Sequence, residues 1–113
     1  NIFGLNSLFK TAIPPSFTTR PGNKTASEGD RVTFYCSANG IPPPSITWSK
    51  LYGNITADRR QEPSPGALRI VNLQHVDDGV YVCTAKNSEG NVSALAFLRI
   101  RGNYLMHVYE RLH

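Results

Sequence analysis

The clearest alternation in the chain runs from Arg31 to Ala38, where Val32, Phe34, Cys36 and Ala38 share one face and Arg31, Thr33, Tyr35 and Ser37 the other. A period of two marks a half-buried β-strand, because successive side chains of extended backbone point to opposite faces. Glu28-Gly29-Asp30 before it reads as a tight turn. Asn39-Gly40-Ile41-Pro42-Pro43-Pro44 after it is expected not to continue a ladder, since proline has no N–H to donate. Ser45 to Lys50 predicts a second strand with Ile46 and Trp48 inward, and the polar, Gly- and Pro-punctuated stretch Leu51 to Gly66 has room for one short edge strand. Leu68, Ile70 and Leu73 face inward from a third run, His75-Val76-Asp77-Asp78-Gly79 makes a turn, and Val80 to Ala85 puts Tyr81, Cys83 and Ala85 on a core face. Asn87 to Asn91 reads as a hairpin connection, and Val92 to Arg101 sets Ala94, Ala96, Leu98 and Ile100 inward. The strands are expected to pair antiparallel.

Short β-type runs separated by Gly, Pro, Asn and Asp, with no long helix between them, predict an all-β sandwich or barrel. The two ends fit that pattern poorly. Asn1 to Ile13, closed by Pro14-Pro15, carries apolar residues at neither strand nor helix spacing and reads as a linker or the remnant of a neighbouring domain. Residues 102–113 read as a linker or tail, leaving residues 14–101 as the domain. The chain opens with neither Met nor a signal-like charged-then-apolar stretch, and so reads as a piece of something longer. No apolar run approaches the roughly 20 residues that span a bilayer, so the domain itself is expected to make no membrane contact.

Its 113 residues suffice for one domain, and a hydrophobic fraction of 40% against 18% charged is that of a globular chain. The net charge of +4 is spread from Lys10 to Arg111, with Arg59-Arg60 the only adjacent pair. Nucleic-acid binding calls for a denser basic stripe, a zinc-finger spacing or an aromatic RNA-binding signature, and none is present. Cys36 and Cys83 each sit in an alternating apolar run, which favours a buried bridge over a reactive thiol or a metal site and implies an oxidising compartment.

The two cysteines lie 47 positions apart, Trp48 follows the first by 12, and Tyr81 precedes the second by two. With Leu68-Arg69-Ile70-Val71-Asn72-Leu73 and Asp77-Asp78-Gly79-Val80-Tyr81-Val82-Cys83, this pattern resembles the immunoglobulin superfamily and its Asp-x-Gly-x-Tyr-x-Cys motif, over about residues 14 to 101. Gly40-Ile41-Pro42-Pro43-Pro44 and Ala85-Lys86-Asn87-Ser88-Glu89-Gly90 resemble the I-set branch, and the span from Trp48 to Leu68 is too short for the two extra strands of an antibody variable domain. The resemblance implies an immunoglobulin-like Greek-key β-sandwich of two antiparallel sheets tied by one inter-sheet disulfide, Cys36–Cys83. Trp48 would pack on that bridge, and the Tyr81 hydroxyl would bond a backbone group at the corner before its strand. Leu68, Asp77 and Gly79 complete the signature, with Asp77 pairing a basic side chain for which Arg59, Arg60 and Arg69 all compete.

No constellation for catalysis stands out. His75 with Asp77 and Asp78 is the nearest to one, and Asp77 already has a structural role in the motif, so no catalytic residue, cofactor or metal is assigned. Asn54, Asn23 and Asn91 each open an Asn-x-Ser/Thr triplet and are candidate N-glycosylation sites. Parity places Val80, Val82, Thr84, Leu95 and Phe97 outward while their neighbours face the core. Val82, Leu95 and Phe97, flanked by Thr47 and Ser49, therefore form a candidate protein-contact face, unless a glycan, a neighbouring domain or the tails cover it. Lys50, Arg59 and Arg60 offer a thin basic site for sulfated polysaccharide, against which stands ordinary solubilising charge. The expected function is non-catalytic: an extracellular binding or adhesion module, one domain of a larger cell-surface receptor or adhesion protein, its partner a protein or a second copy. The competing expectation is a spacer domain of a secreted matrix protein.

Overall fold

The computed structural model describes residues 11–102. They form nine strands: β1 (Ile13–Thr19), β2 (Lys24–Ser27), β3 (Val32–Tyr35), β4 (Ser37–Ile41), β5 (Ser45–Lys50), β6 (Arg60–Gln61), β7 (Ala67–Ile70), β8 (Gly79–Asn87) and β9 (Gly90–Arg101), with one 3-10 turn at His75–Asp77. One layer has the order β2-β9-β8-β5. The other holds β3-β7-β6 and, beyond Cys36, the pair β1-β4. The β3–β4, β6–β7 and β8–β9 connections stay within a layer. Every other link of the strand order crosses between layers, which gives the Greek-key sandwich that the resemblance implies.

Alternation is clean along the two long strands. Along β9 the residues Ala94, Ala96, Leu98 and Ile100 are buried and their neighbours exposed, and β8 buries Tyr81, Cys83 and Ala85. Phe34, Leu68, Ile70 and Leu73 fill the space between layers with them, and Ile46 is partly buried against that core. The short edge strand expected between Leu51 and Gly66 is β6.

Three expectations are corrected. Arg31 to Ala38 is not one strand: the ladder of β3 on β7 ends at Tyr35, and the Cys36 N–H donates to the carbonyl of Gly66 at 3.0 Å. Asn39, Gly40 and Ile41 do continue a ladder, as β4 paired with β1, because the prolines begin only at position 42. The pairing is also not wholly antiparallel. β2 runs parallel to β9, with Lys24 opposite Leu98 and Ala26 opposite Ile100, so the first strand region splits between the two layers. β1 starts at Ile13, one residue inside the expected linker, and its register shifts between Ile13 and Ser16, where Pro14 and Pro15 supply no ladder donors. Thr11 and Ala12 of the expected linker precede β1 outside any strand, while residues 1–10 of it and residues 103–113 of the expected tail lie outside the described residues.

Candidate protein-contact face

The corner that precedes β8 aligns the candidate face. Asp77 closes the 3-10 turn and is buried, with its carboxylate accepting from the Gln74 N–H at 2.8 Å. Arg59 donates both terminal nitrogens to that carboxylate, at 2.5 and 2.8 Å, and bonds the Val71 and Asn72 carbonyls as well. Of the three competing arginines the structure therefore selects Arg59: Arg60 pairs with Glu62 and Arg69 donates to the Thr33 hydroxyl. The bond to Asp77 raises the Arg59 pKa and holds its charge. A buried ion pair is tolerated when its remaining bonding capacity is met, as it is here. The Tyr81 hydroxyl donates to the Asp77 carbonyl at 2.6 Å, and burial pushes the phenol well above its usual range, with the Asp77 charge adding to the shift. Gly79 has φ 146°, and a Cβ there would stand 2.9 Å from Cε of Lys50.

Behind the face, Cys36 and Cys83 form a disulfide with Cα atoms 6.6 Å apart. Trp48 lies opposite Cys83 in the β5–β8 register, and its indole N–H donates to the Gly66 carbonyl at 3.2 Å. Phe34 stacks on Tyr81 with ring centroids 5.5 Å apart and meets Trp48 at 5.9 Å.

The outer surface of β5, β8 and β9 brings the predicted contact residues into cross-strand rows. Ser49 lies opposite Val82 and Val82 opposite Leu95; Thr47 faces Thr84, which faces Ser93; Val80 faces Phe97. Leu95 and Phe97 are 51% and 52% exposed, and Val80 and Val82 are half-buried. Thr84 and Ser93 bond to each other through their hydroxyls at 2.9 Å. Two apolar cross-strand pairs side by side on a sheet surface make a flat patch suited to another protein surface.

The candidate basic site is not assembled as three free cations. Arg59 is committed to Asp77, Arg60 to Glu62, and Lys50 donates to the Val76 carbonyl at 2.6 Å while lying 5.7 Å from the Tyr81 ring centroid. His75 is drawn away from the aspartates and meets Glu28 at 2.9 Å. Asp78 accepts from the Ile100 N–H at 2.8 Å. Among the described residues no group of three His, Cys, Asp or Glu side chains has metal-holding geometry. The three sequon asparagines, Asn23, Asn54 and Asn91, are all exposed.

Three features escaped the sequence reading. A groove of about 750 Å³ opens between the layers beside Trp48, bounded by Pro44, Ile46, Pro63 and Pro65. Asn87 ties the ends of three segments together, donating to the carbonyls of Ile13 and Pro42 at 2.7 and 3.0 Å and accepting from the Glu89 N–H. Asn23 accepts from the Phe97 N–H at 2.9 Å, extending the β2–β9 ladder by a side-chain rung. Only the Asn87 clasp had a visible signal, an asparagine at the mouth of a hairpin, since the other two depend on contacts between distant segments.

Comparison with known proteins places this geometry in context. Residues 14–87 match the family profile described as "Immunoglobulin domain". Protein sax-3 of Caenorhabditis elegans is 38% identical over an alignment of 99 residues that covers 80% of this chain and 8% of that protein. Contactin-5 of Rattus norvegicus is 44% identical over 80 residues, 71% of this chain and 7% of the relative. The chain thus spans less than a tenth of these relatives. Among solved structures, Drosophila OTK extracellular domains 3-5 superpose with a TM-score of 0.74 at 31% identity, covering 80% of this chain and 32% of the other. With the sandwich, the bridged Cys36–Cys83 pair and the Tyr81 corner in place, the chain belongs to the immunoglobulin-domain family.

Proposed function

We propose that this is an extracellular protein-contact domain of the I-set type, one of the modules of a larger cell-surface receptor or adhesion protein. It performs no chemistry of its own. The observation that carries this reading is the pair of adjacent rows Val82–Leu95 and Val80–Phe97, whose two large β9 side chains stand half exposed on a regular sheet. A core-facing explanation does not apply to them, because their neighbours Ala94, Ala96 and Leu98 already fill the interior. The bridged cysteines support an oxidising, extracellular setting. So does the likeness to the OTK extracellular domains.

The partner is a protein, and a second copy of the chain is the first candidate, because one flat patch can meet itself across a two-fold axis. Sedimentation equilibrium over a wide concentration range, on the oxidised chain with its glycans present and after their enzymatic removal, tests this against Leu95→Ser and Phe97→Ser. Association that disappears in Leu95→Ser supports a contact between copies. A chain monomeric at every concentration, with the variants indistinguishable, overturns self-association and favours the spacer role in a matrix protein.

A further inference from the structure

We infer that Asn23 carries an N-linked glycan whose first N-acetylglucosamine lies over Phe97, in a groove on the outer surface of β9. Asn23 opens the triplet Asn23-Lys24-Thr25. Its amide oxygen accepts from the Phe97 N–H, which pins the side chain at the sheet edge beside the Phe97 backbone. That bond occupies the oxygen and leaves the amide nitrogen, the atom that bears the sugar, for the glycosidic link. A groove of about 420 Å³ begins at this residue and runs across β9, bounded by Thr25 and Arg99 on one side and by Val80 and Phe97 on the other. Thr25 and Arg99 are register partners, as are Val80 and Phe97, so these two outward rows form the walls.

The groove matches a pyranose in chemistry as well as position. Phe97, 52% exposed, supplies an apolar side chain for the C–H face of the sugar, and Thr25 and Arg99, which also line the groove, supply a hydroxyl and a guanidinium for its hydroxyls and acetamide. A small number of polar groups facing an apolar wall is the usual makeup of a ligand groove. In the transfer, the Asn23 amide nitrogen forms a C–N bond to the anomeric carbon of an oligosaccharide linked to a lipid diphosphate. The anomeric C–O bond breaks, the lipid diphosphate departs with its electron pair, and the nitrogen's proton passes to solvent through the transferase. The glycan then covers the Val80–Phe97 row of the contact face and leaves the Val82–Leu95 row open beside it, so contact between copies through Phe97 is expected only after the glycan is removed, while the glycan readouts do not depend on what the open row binds.

The test separates occupancy from seating. The full chain is secreted from eukaryotic cells as wild type, Thr25→Ser and Thr25→Val, and peptide mass spectrometry reads the segment around Asn23. Both changes leave the Asn23–Phe97 bond untouched, and Thr25→Ala replaces the valine variant where that is not secreted. The expected result is glycosylated Asn23 in the wild type and Thr25→Ser and bare Asn23 in the third chain. After trimming to one N-acetylglucosamine, its proton resonances are expected to show an upfield ring-current shift that Phe97→Leu removes. Trimmed wild type is also expected to unfold a few degrees above the bare chain, a gain that Phe97→Leu loses. Bare Asn23 in the wild type overturns the inference. So does an occupied Asn23 whose sugar resonates as in free N-acetylglucosamine and whose stabilisation survives Phe97→Leu. Failure of the contact face would appear only as absent association, leaving these readouts unchanged.

Discussion

Tyr81 joins the core to the corner with a single hydroxyl, and its ionisation reports on both. Burial holds the phenol protonated far above its usual value of 10.0, and the neighbouring Asp77 charge pushes in the same direction. The folded pKa lies above the unfolded one, so the contribution is complete below about pH 10 and is lost as pH rises beyond it, where only the unfolded chain releases the proton. Urea unfolding of wild type and Tyr81→Phe from about pH 8 to about pH 11 should show the wild type losing its advantage above about pH 10. Near neutrality the phenylalanine variant should be about 1–3 kcal/mol less stable, because the Asp77 carbonyl loses its buried donor. Parallel profiles would show that Tyr81 is not the titrating group. The role of Tyr81 was legible in the sequence, since the motif names it. The partner of Asp77 was not: three arginines were plausible, and only the path of the chain from β5 to β6 brings Arg59 to the carboxylate while Arg60, one position on, turns to Glu62.

Among the elements, legibility followed burial. β8 and β9 are long strands with one dry face, so their alternation is unbroken and their inward residues were readable one by one. β1, β4 and β2 were not readable in the same way. The first carries two prolines, the second begins straight after a core cysteine, and the third is four residues whose partner lies more than 70 positions away. Pairing between distant segments leaves no local periodicity. The break between β3 and β4 has a definite cause in Gly66, whose carbonyl accepts both the Cys36 N–H and the Trp48 indole. Gly66 sits at φ 82°, and a Cβ on it would lie 2.1 Å from the Cys36 carbonyl oxygen. Gly66→Ala therefore combines left-handed backbone strain with a clash against main chain, each of which costs about 1–3 kcal/mol. Thermal unfolding should show a loss of at least about 2 kcal/mol on that basis. A variant within experimental error of wild type would mean that β4 can shift away from Gly66, and that the break is not imposed there.

For the whole molecule, the two layers are held by one covalent tie and one core, while the outer face contributes to neither. Cys36 and Cys83 close a loop of 47 residues. On the chain-entropy account such a cross-link stabilises the fold by about 4 kcal/mol, by restricting the unfolded chain. That is a large share of the 5–15 kcal/mol typical of a domain. The double variant Cys36→Ala with Cys83→Ala should unfold at correspondingly lower urea, with a further loss from the space vacated beside Trp48. Leu95→Ser should leave the same midpoint within about 0.5 kcal/mol, because its side chain is half exposed and removes no core contact. The two changes together separate what folds the domain from what the domain presents. If Leu95→Ser abolishes association at unchanged stability while the cysteine variant loses stability yet still associates once folded, recognition belongs to the β8–β9 surface alone. If Leu95→Ser unfolds the chain instead, the outer row is part of the fold, and its exposure is no sign of a partner.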